Sequence, residues 1–285
     1  MSELEIKAER LKNLLRQLER VLVCFSGGVD SSYLLAVSVR VLGENAVALT
    51  AVSPSLAPEE GADAQRLAQQ LGAPHILVET QELDDPRYAA NPVNRCYFCK
   101  TEVYGVAVQQ ARRLGISHVL DGFNRDDRSD HRPGRQAARE WGVRSPLDEV
   151  GFTKEEIREA ARQMGLPVWD KPALACLSSR FPSGTSITPE RLRQVWRCEC
   201  ALRQLGFRIC RVRYYDEEAR IEVAPEEISR LFFSEVREEI LLHFRKAGFD
   251  SVTVDLQGYR SGSLNELVLN HHSISPERER IVTLT

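Results

Sequence analysis

The run Val21-Leu22-Val23-Cys24-Phe25-Ser26-Gly27-Gly28-Val29-Asp30-Ser31-Ser32 constrains this 285-residue chain more than any other stretch. Its apolar half reads as a buried strand, and its second half turns through Ser-Gly-Gly into a helix whose apolar body continues from Tyr33 to Leu42. A strand-to-helix glycine turn is a phosphate cradle. Gly27 and Gly28 let backbone N–H groups approach an anion, and the helix that opens near Asp30 aims its positive dipole end at the same spot. Ser26, Ser31 and Ser32 add hydroxyls, Val29 is counted with them among the loop residues that contact the nucleotide, and Asp30 is suited to fixing the loop or holding magnesium. Neither G-x-x-x-x-G-K-[ST] nor G-x-G-x-x-G can be read in the run, which argues against a kinase-like P-loop and a Rossmann dinucleotide site. The plainer alternative is an ordinary glycine turn ahead of a core helix.

Beyond this turn, strand-like and helix-like segments alternate: strands over 46–52, 75–79 and 118–121, and helices over 58–71, 98–114 and 154–164. Such alternation predicts an α/β fold, a parallel sheet covered by helices on both faces. Ligands in these sheets bind beyond the carboxyl ends of the strands, which is where Ser26, Thr50, Gly122 and Asp126 are expected to meet. A stretch rich in Pro, Ser and Gly, 166–188, marks a domain boundary. The reading is therefore a nucleotide domain over 1–170 and a smaller α+β domain over 171–285. The latter carries strands over 207–215, 219–224 and 251–256, with helical segments after Thr188 and over 225–233 and 234–247. Its expected work is shaping the substrate side and packing subunits together.

Composition narrows the function classes. A net charge of −3 and a pI near 6.1 speak against a dedicated nucleic-acid binder. No apolar run reaches membrane-spanning length, and the first residues read as an amphipathic helix with Leu4, Leu11, Leu14, Leu15 and Leu18 on one stripe. A signal peptide is not read ahead of it, so a cytoplasmic enzyme is expected. In that reducing setting the seven cysteines point to core positions, metal ligands or reactive thiols before disulfides.

Three of those cysteines stand apart. Cys96 and Cys99 are three apart at the start of a helix, so their sulfurs can share one face, and Arg95, Lys100 and the helix dipole favour thiolate. Cys176 lies in Ala175-Cys176-Leu177-Ser178-Ser179-Arg180, the kind of irregular segment that folds over a site. Together the three can hold a [4Fe–4S] cluster by three irons, or zinc with one open position; redox thiols and simple packing also fit a CxxC. Cys24 and Cys210 read as core, and Cys198 and Cys200 fall on nearly opposite faces of one helix.

Charged residues complete the candidates. The segment from Asp121 to Arg135 runs from a strand end into a carboxylate-rich loop, suited to magnesium and ribose or simply solvated. In the second domain Arg211 and Arg213 form a pair fit to clamp phosphate or carboxylate, and Glu199 with Glu222 can bind a divalent metal. Exposed ion pairs are the alternative for all four.

The pattern S-G-G-x-D-S-S resembles the pyrophosphatase loop (PP-loop) of enzymes that cut ATP between its α and β phosphates. The segments 26–32, 121–135, 175–180, 211–222 and 258–266 together resemble the LarE-type ATP-dependent sulfur transferases, along essentially the whole chain. That family helps build the nickel-pincer nucleotide of lactate racemase. The resemblance implies that ATP adenylates a carboxylate of pyridinium-3,5-biscarboxylate mononucleotide, and that a sulfur held by the enzyme then displaces AMP to give a thiocarboxylate. It implies ATP and Mg2+ as cofactors, Ser179 and Arg180 beside Arg211 and Arg213 as substrate contacts, and a homo-hexamer.

The resemblance also divides the family. In sacrificial members the cysteine matching Cys176 gives up its own sulfur, whereas three-cysteine members are thought to hold a [4Fe–4S] cluster whose open iron carries an extra sulfide. The presence of Cys96 and Cys99 favours the second branch. A PP-loop tRNA thiolase and an ATP-binding sensor that never cleaves nucleotide are the alternatives.

Overall fold

The computed structural model describes residues 2–128, 133–172 and 175–260. Residues 129–132 of the carboxylate-rich loop and 261–266 of the last resembling segment lie outside the described residues. The described residues form two compact units. One holds those up to Ser178 together with Ser186–Leu192; the other takes Ser179–Thr185 and those from Arg193 onward.

The first unit opens with helix α1, Glu3–Leu18, started by a reciprocal Ser2–Glu5 capping box and burying Leu11, Leu15 and Leu18. Strand β1 (Val21–Cys24), helix α2 (Val29–Leu42), strand β2 (Ala46–Val52), helix α3 (Pro58–Leu71) and strand β3 (His75–Glu79) follow. A short α4 (Pro86–Ala89), the long α5 (Arg95–Arg113) and strand β4 (His118–Leu120) come next, and α6 (Gly134–Glu140), α7 (Pro146–Val150) and α8 (Lys154–Gln163) complete the unit. The strands lie in the order β3-β2-β1-β4 and all their pairings are parallel. The chain thus moves outward from β1 to β3 and then returns to the other side of β1. The switch point lies between the carboxyl ends of β1 and β4, the place where such sheets bind ligands.

The unbroken apolar strands are explained by burial on both faces. Val21, Val23, Ala46 and Ala48 pack with Leu11, Leu15, Leu34, Phe152 and Ile157. Their neighbours Leu22, Val47 and Leu49 pack on the opposite side with Tyr104, Ala107 and Ala111. The expected parallel sheet under two helical layers is thereby present. Helix α5 begins at Arg95, three residues earlier than the periodicity suggests, so both Cys96 and Cys99 are helical. The short α4, α6 and α7 were not legible, because a helix of one or two turns has no periodicity to show.

The second unit contains the end of α9 (Pro189–Gln204), strands β5 (Cys210–Tyr215) and β6 (Glu218–Val223), helix α10 (Ser234–Ala247) and strand β7 (Ser251–Val254). The sheet order is β5-β6-β7, with β5 and β6 antiparallel and β6 and β7 parallel. Alternation sends Val212, Tyr214, Ala219, Ile221 and Val223 into a core, where the Tyr214 ring lies 5.0 Å from Phe181 and 5.8 Å from Phe249. The residues between them in sequence, Arg211, Arg213, Arg220 and Glu222, share the opposite face.

The division expected at residue 170 falls eight residues before the observed one. The segment carrying Cys176 is tied into the first unit instead: the Leu177 N–H donates to the Ser55 carbonyl at 2.8 Å, and the Tyr88 and Ser178 hydroxyls are 2.7 Å apart.

Candidate active site

The loop after β1 keeps its shape with part of its polar groups and leaves others unused. Gly27 sits at φ +71°, and a Cβ there would come within 3.3 Å of the Ala64 backbone, so both conformation and space require glycine. The Ser31 hydroxyl donates to the Gly28 carbonyl at 3.1 Å and accepts from the Ser26 N–H at 3.3 Å, while the Ser26 Oγ lies 3.2 Å from it. Gly28 caps α2 without a side-chain hydrogen bond, and the buried Val29 starts the helix. Two buried atoms in this turn, Asp30 Oδ1 and Ser32 Oγ, have no hydrogen-bond partner. Buried polar atoms are paired in nearly all native folds, so such a pair at a helix N-terminus marks a place prepared for a ligand.

The loop after β4 presses against this turn. A Cβ on Gly122 would stand 3.0 Å from the Ser31 nitrogen and 3.3 Å from the Asp30 Cβ, an approach that only glycine permits. Asp121 anchors the loop by accepting from the Tyr104 hydroxyl and the Ser145 hydroxyl, each at 2.7 Å. Burial raises its carboxyl above the usual range, against the opposing pull of those two bonds. Asn124 accepts from the Asp126 N–H, and Asp127 accepts from the Asn124 N–H, both at 2.9 Å. Asp126 also accepts the backbone N–H of Lys154 at 2.8 Å. Much of the carboxylate-rich character therefore serves the loop's own shape. Thr50 is buried within β2, donating to the Phe25 carbonyl at 2.6 Å with His75 Nε2 at 2.8 Å; it holds the backbone just before Ser26.

Lys154 was not singled out from the sequence. Its ammonium hydrogen-bonds to Asp30 Oδ2, 124 positions away, and no sequence signal short of the fold itself points to that pairing.

The cysteines separate by environment. Burial pushes the Cys24 thiol up to about 12 and the Cys210 thiol up to about 11, and it raises Cys198 as well, so none of these is a thiolate near neutral pH. Burial, then the charge of Cys176, push Cys99 up to about 12. Cys96, Cys99 and Cys176 all lie within electrostatic reach of the Arg95 guanidinium. Arg95 donates to Asn91 Oδ1 at 2.5 Å and to the Ser178 carbonyl at 2.8 Å, which fixes its charge beside these sulfurs. Tyr88, also missed from the sequence, is buried near Cys176 and Cys99. Among the described residues, no three His, Cys, Asp or Glu side chains are already drawn together as a closed metal site.

In the second unit the charged face of β5 and β6 is paired off. Arg180 grips Glu199 through two bonds at 2.8 and 3.0 Å, and Arg213 grips Glu222 at 2.9 and 2.6 Å. The four side chains are at most 6% exposed. Glu199 also accepts from the Val212 N–H at 3.1 Å, and Arg213 donates to the Ser179 carbonyl at 2.9 Å. Burial alone would raise the Glu199 carboxyl, but Arg180 holds it below its usual value. The Arg211 guanidinium stacks 5.0 Å over Tyr259, with its pKa lowered by burial and by Arg180. Both expected glutamate ligands thus already hold arginine partners.

Comparison with known proteins fits this geometry. The asparagine synthase family model matches residues 8–96, the part that carries β1, its loop and α2. An uncharacterised protein of Synechocystis sp. is 50% identical over 93% of this chain and 99% of its own length. The pyridinium-3,5-bisthiocarboxylic acid mononucleotide synthase of Lactiplantibacillus plantarum is 38% identical over 93% of this chain and 96% of its own length. The tRNA-specific 2-thiouridylase of Thermus thermophilus is 30% identical, but over 54% of this chain and 53% of its own length. With the cradle at the switch point and similarity running through both units, the chain belongs to the family of the pyridinium-3,5-bisthiocarboxylic acid mononucleotide synthases, the LarE-type branch of the PP-loop proteins.

Proposed function

We propose that this chain is an ATP-dependent sulfur transferase that turns a carboxylate of pyridinium-3,5-biscarboxylate mononucleotide into a thiocarboxylate. The observation that carries the reading is near full-length similarity to the L. plantarum synthase, joined to a PP-loop whose buried Asp30 Oδ1 and Ser32 Oγ await partners. In this reading Ser26, Gly27, Gly28, Val29, Asp30, Ser31 and Ser32 receive the phosphates of ATP. Gly122 and Asp126 form the facing wall, and Thr50 steadies Phe25. A hard carboxylate oxygen such as Asp30 Oδ1 is a donor suited to Mg2+.

The chemistry has two steps. A substrate carboxylate oxygen bonds to the α phosphorus, and the bond to the bridging oxygen breaks, so that pyrophosphate leaves with the electron pair. A sulfur nucleophile then attacks the activated carbonyl and AMP departs. AMP is a far better leaving group than hydroxide, and that difference is what ATP supplies. Ser179, Arg180, Arg211 and Arg213 are assigned to the substrate's phosphate and carboxylates. Glu199 and Glu222 would hold a divalent ion only by exchanging arginine partners, so their first task here is to orient Arg180 and Arg213.

For the sulfur, the reading takes Cys96, Cys99 and Cys176 as ligands of a [4Fe–4S] cluster. Three cysteine side chains within electrostatic reach of one fixed guanidinium are a fitting donor set for an anionic iron–sulfur group, whose iron would take the place of the thiol protons. Held by these three cysteines, such a cluster would supply the sulfur that is transferred. A hexamer and a cytoplasmic setting belong to the same proposal; among the described residues no helix is long and apolar enough to cross a membrane.

Anaerobic protein should be brown with about four irons per chain, and should form thiocarboxylate repeatedly from ATP and the pyridinium substrate. Alanine at Cys96, Cys99 or Cys176 should bleach it, whereas alanine at Cys200 should not. Colourless, iron-free protein that loses one H2S from Cys176 after a single turnover would replace the cluster with a sacrificial cysteine.

A further inference from the structure

We propose that Lys154 is the phosphate-binding lysine of this site, moving from Asp30 to the β and γ phosphates of ATP and remaining with pyrophosphate as it leaves. The inference rests on the ATP-cleaving reading above. A triphosphate carries more charge than backbone N–H groups and hydroxyls alone neutralise, and the loop of residues 26–32 contains no lysine or arginine. P-loop enzymes meet that need with a lysine inside the loop. Here, among the described residues, Lys154 is the cation hydrogen-bonded to residues 26–32.

Its setting differs from that of a structural ion pair. The fully buried pairs Arg180–Glu199 and Arg213–Glu222 satisfy both carboxylate oxygens. Lys154 engages only Oδ2 of Asp30, and Oδ1 is left buried without a partner. The Lys154 side chain is 35% exposed and that of Asp30 23%, so the pair is part-solvated and easily exchanged. The backbone, by contrast, is held firmly. The Lys154 N–H is bonded to Asp126, the preceding Thr153 caps α8 in a reciprocal box with Glu156, and the Arg125 N–H donates to the Phe152 carbonyl at 2.8 Å. A fixed root with a long, flexible, charged arm is what a transfer between two anions a short distance apart requires.

The exchange balances in charge. When the α-phosphorus bond to the bridging oxygen breaks, the electron pair stays on pyrophosphate, whose added negative charge meets the ammonium. Asp30, released from Lys154, then has both oxygens available to a cation that arrives with the nucleotide.

Binding of α,β-methylene ATP and of AMP to full-length protein, compared among wild type, Lys154→Met and Lys154→Arg, tests the proposal. Lys154→Met should weaken α,β-methylene ATP binding at least about tenfold and leave AMP binding within about twofold. AMP-forming turnover should fall about 100-fold, as on removal of one preorganised charge-stabilising donor. Lys154→Arg should recover much of the affinity. Equal weakening of both nucleotides, or unchanged binding of the triphosphate analogue with a lowered melting temperature, would make Lys154 a structural partner of Asp30 and overturn the proposal. The products of the wild type judge the adenylation reading separately, since the affinity ratio does not depend on cleavage.

Discussion

The PP-loop of the first unit and the charged face of the second treat polar groups in opposite ways. Around residues 26–32, Ser26 and Ser31 brace the turn while Asp30 Oδ1 and Ser32 Oγ stay buried and unbonded. In the second unit the carboxylates of Glu199 on α9 and Glu222 on β6 are both closed by bidentate arginines. An unpaired buried oxygen costs roughly 1–3 kcal/mol and persists where a ligand later satisfies it. A closed buried pair instead fixes its arginine in one rotamer. The first region is thus expected to respond to substitution in activity, and the second in stability as well.

The largest effect should come where the two loops of the first unit touch. Gly122→Val would push a branched side chain against the Ser31 nitrogen and Asp30, and AMP formation should drop by at least about 100-fold, as when transition-state donors are displaced. A normal rate in a steady-state assay would mean that the cradle does not hold the phosphates.

Next comes the closed pair. Glu199→Gln removes one charge of a buried pair and should cost about 3–5 kcal/mol in chemical denaturation. Because Arg180 holds the Glu199 carboxyl below its ordinary 4.5, the folded-state value lies under the unfolded one. The stabilisation is therefore fully present above about pH 4.5 and lost as pH falls through the lower folded value. Melting temperature against pH should fall less steeply in this acid range for the glutamine variant than for wild type. Parallel curves would show that the pair titrates no differently from exposed carboxylates.

Much of the first unit could be read before its structure. The strands 46–52 and 75–79 and the helix 58–71 match the observed bounds, because Pro58 and Gly72 punctuate the helix between them. The glycine turn at 26–28 was equally plain, since phosphate cradles leave a local signature. What escaped was long-range pairing. Nothing in Thr153-Lys154-Glu155-Glu156 beyond a helix start points to Asp30, and nothing near Glu199 announces Arg180. Arg213 stands opposite Arg220 in the ladder and reaches Glu222 diagonally, a choice made by side-chain length and burial after register is set. The irregular segment around Cys176 has no period to place it, and the bonds to Ser55, and through Ser178 to Tyr88 and Arg95, show that it belongs with the first unit.

The central claim, that the glycine turn between β1 and α2 is a pyrophosphatase loop serving sulfur transfer, is tested most directly by following phosphorus during turnover. With ATP and pyridinium-3,5-biscarboxylate mononucleotide, phosphorus NMR should show AMP and pyrophosphate rising together, in step with thiocarboxylate. ADP with inorganic phosphate, or ATP left intact while thiocarboxylate forms, would contradict the account.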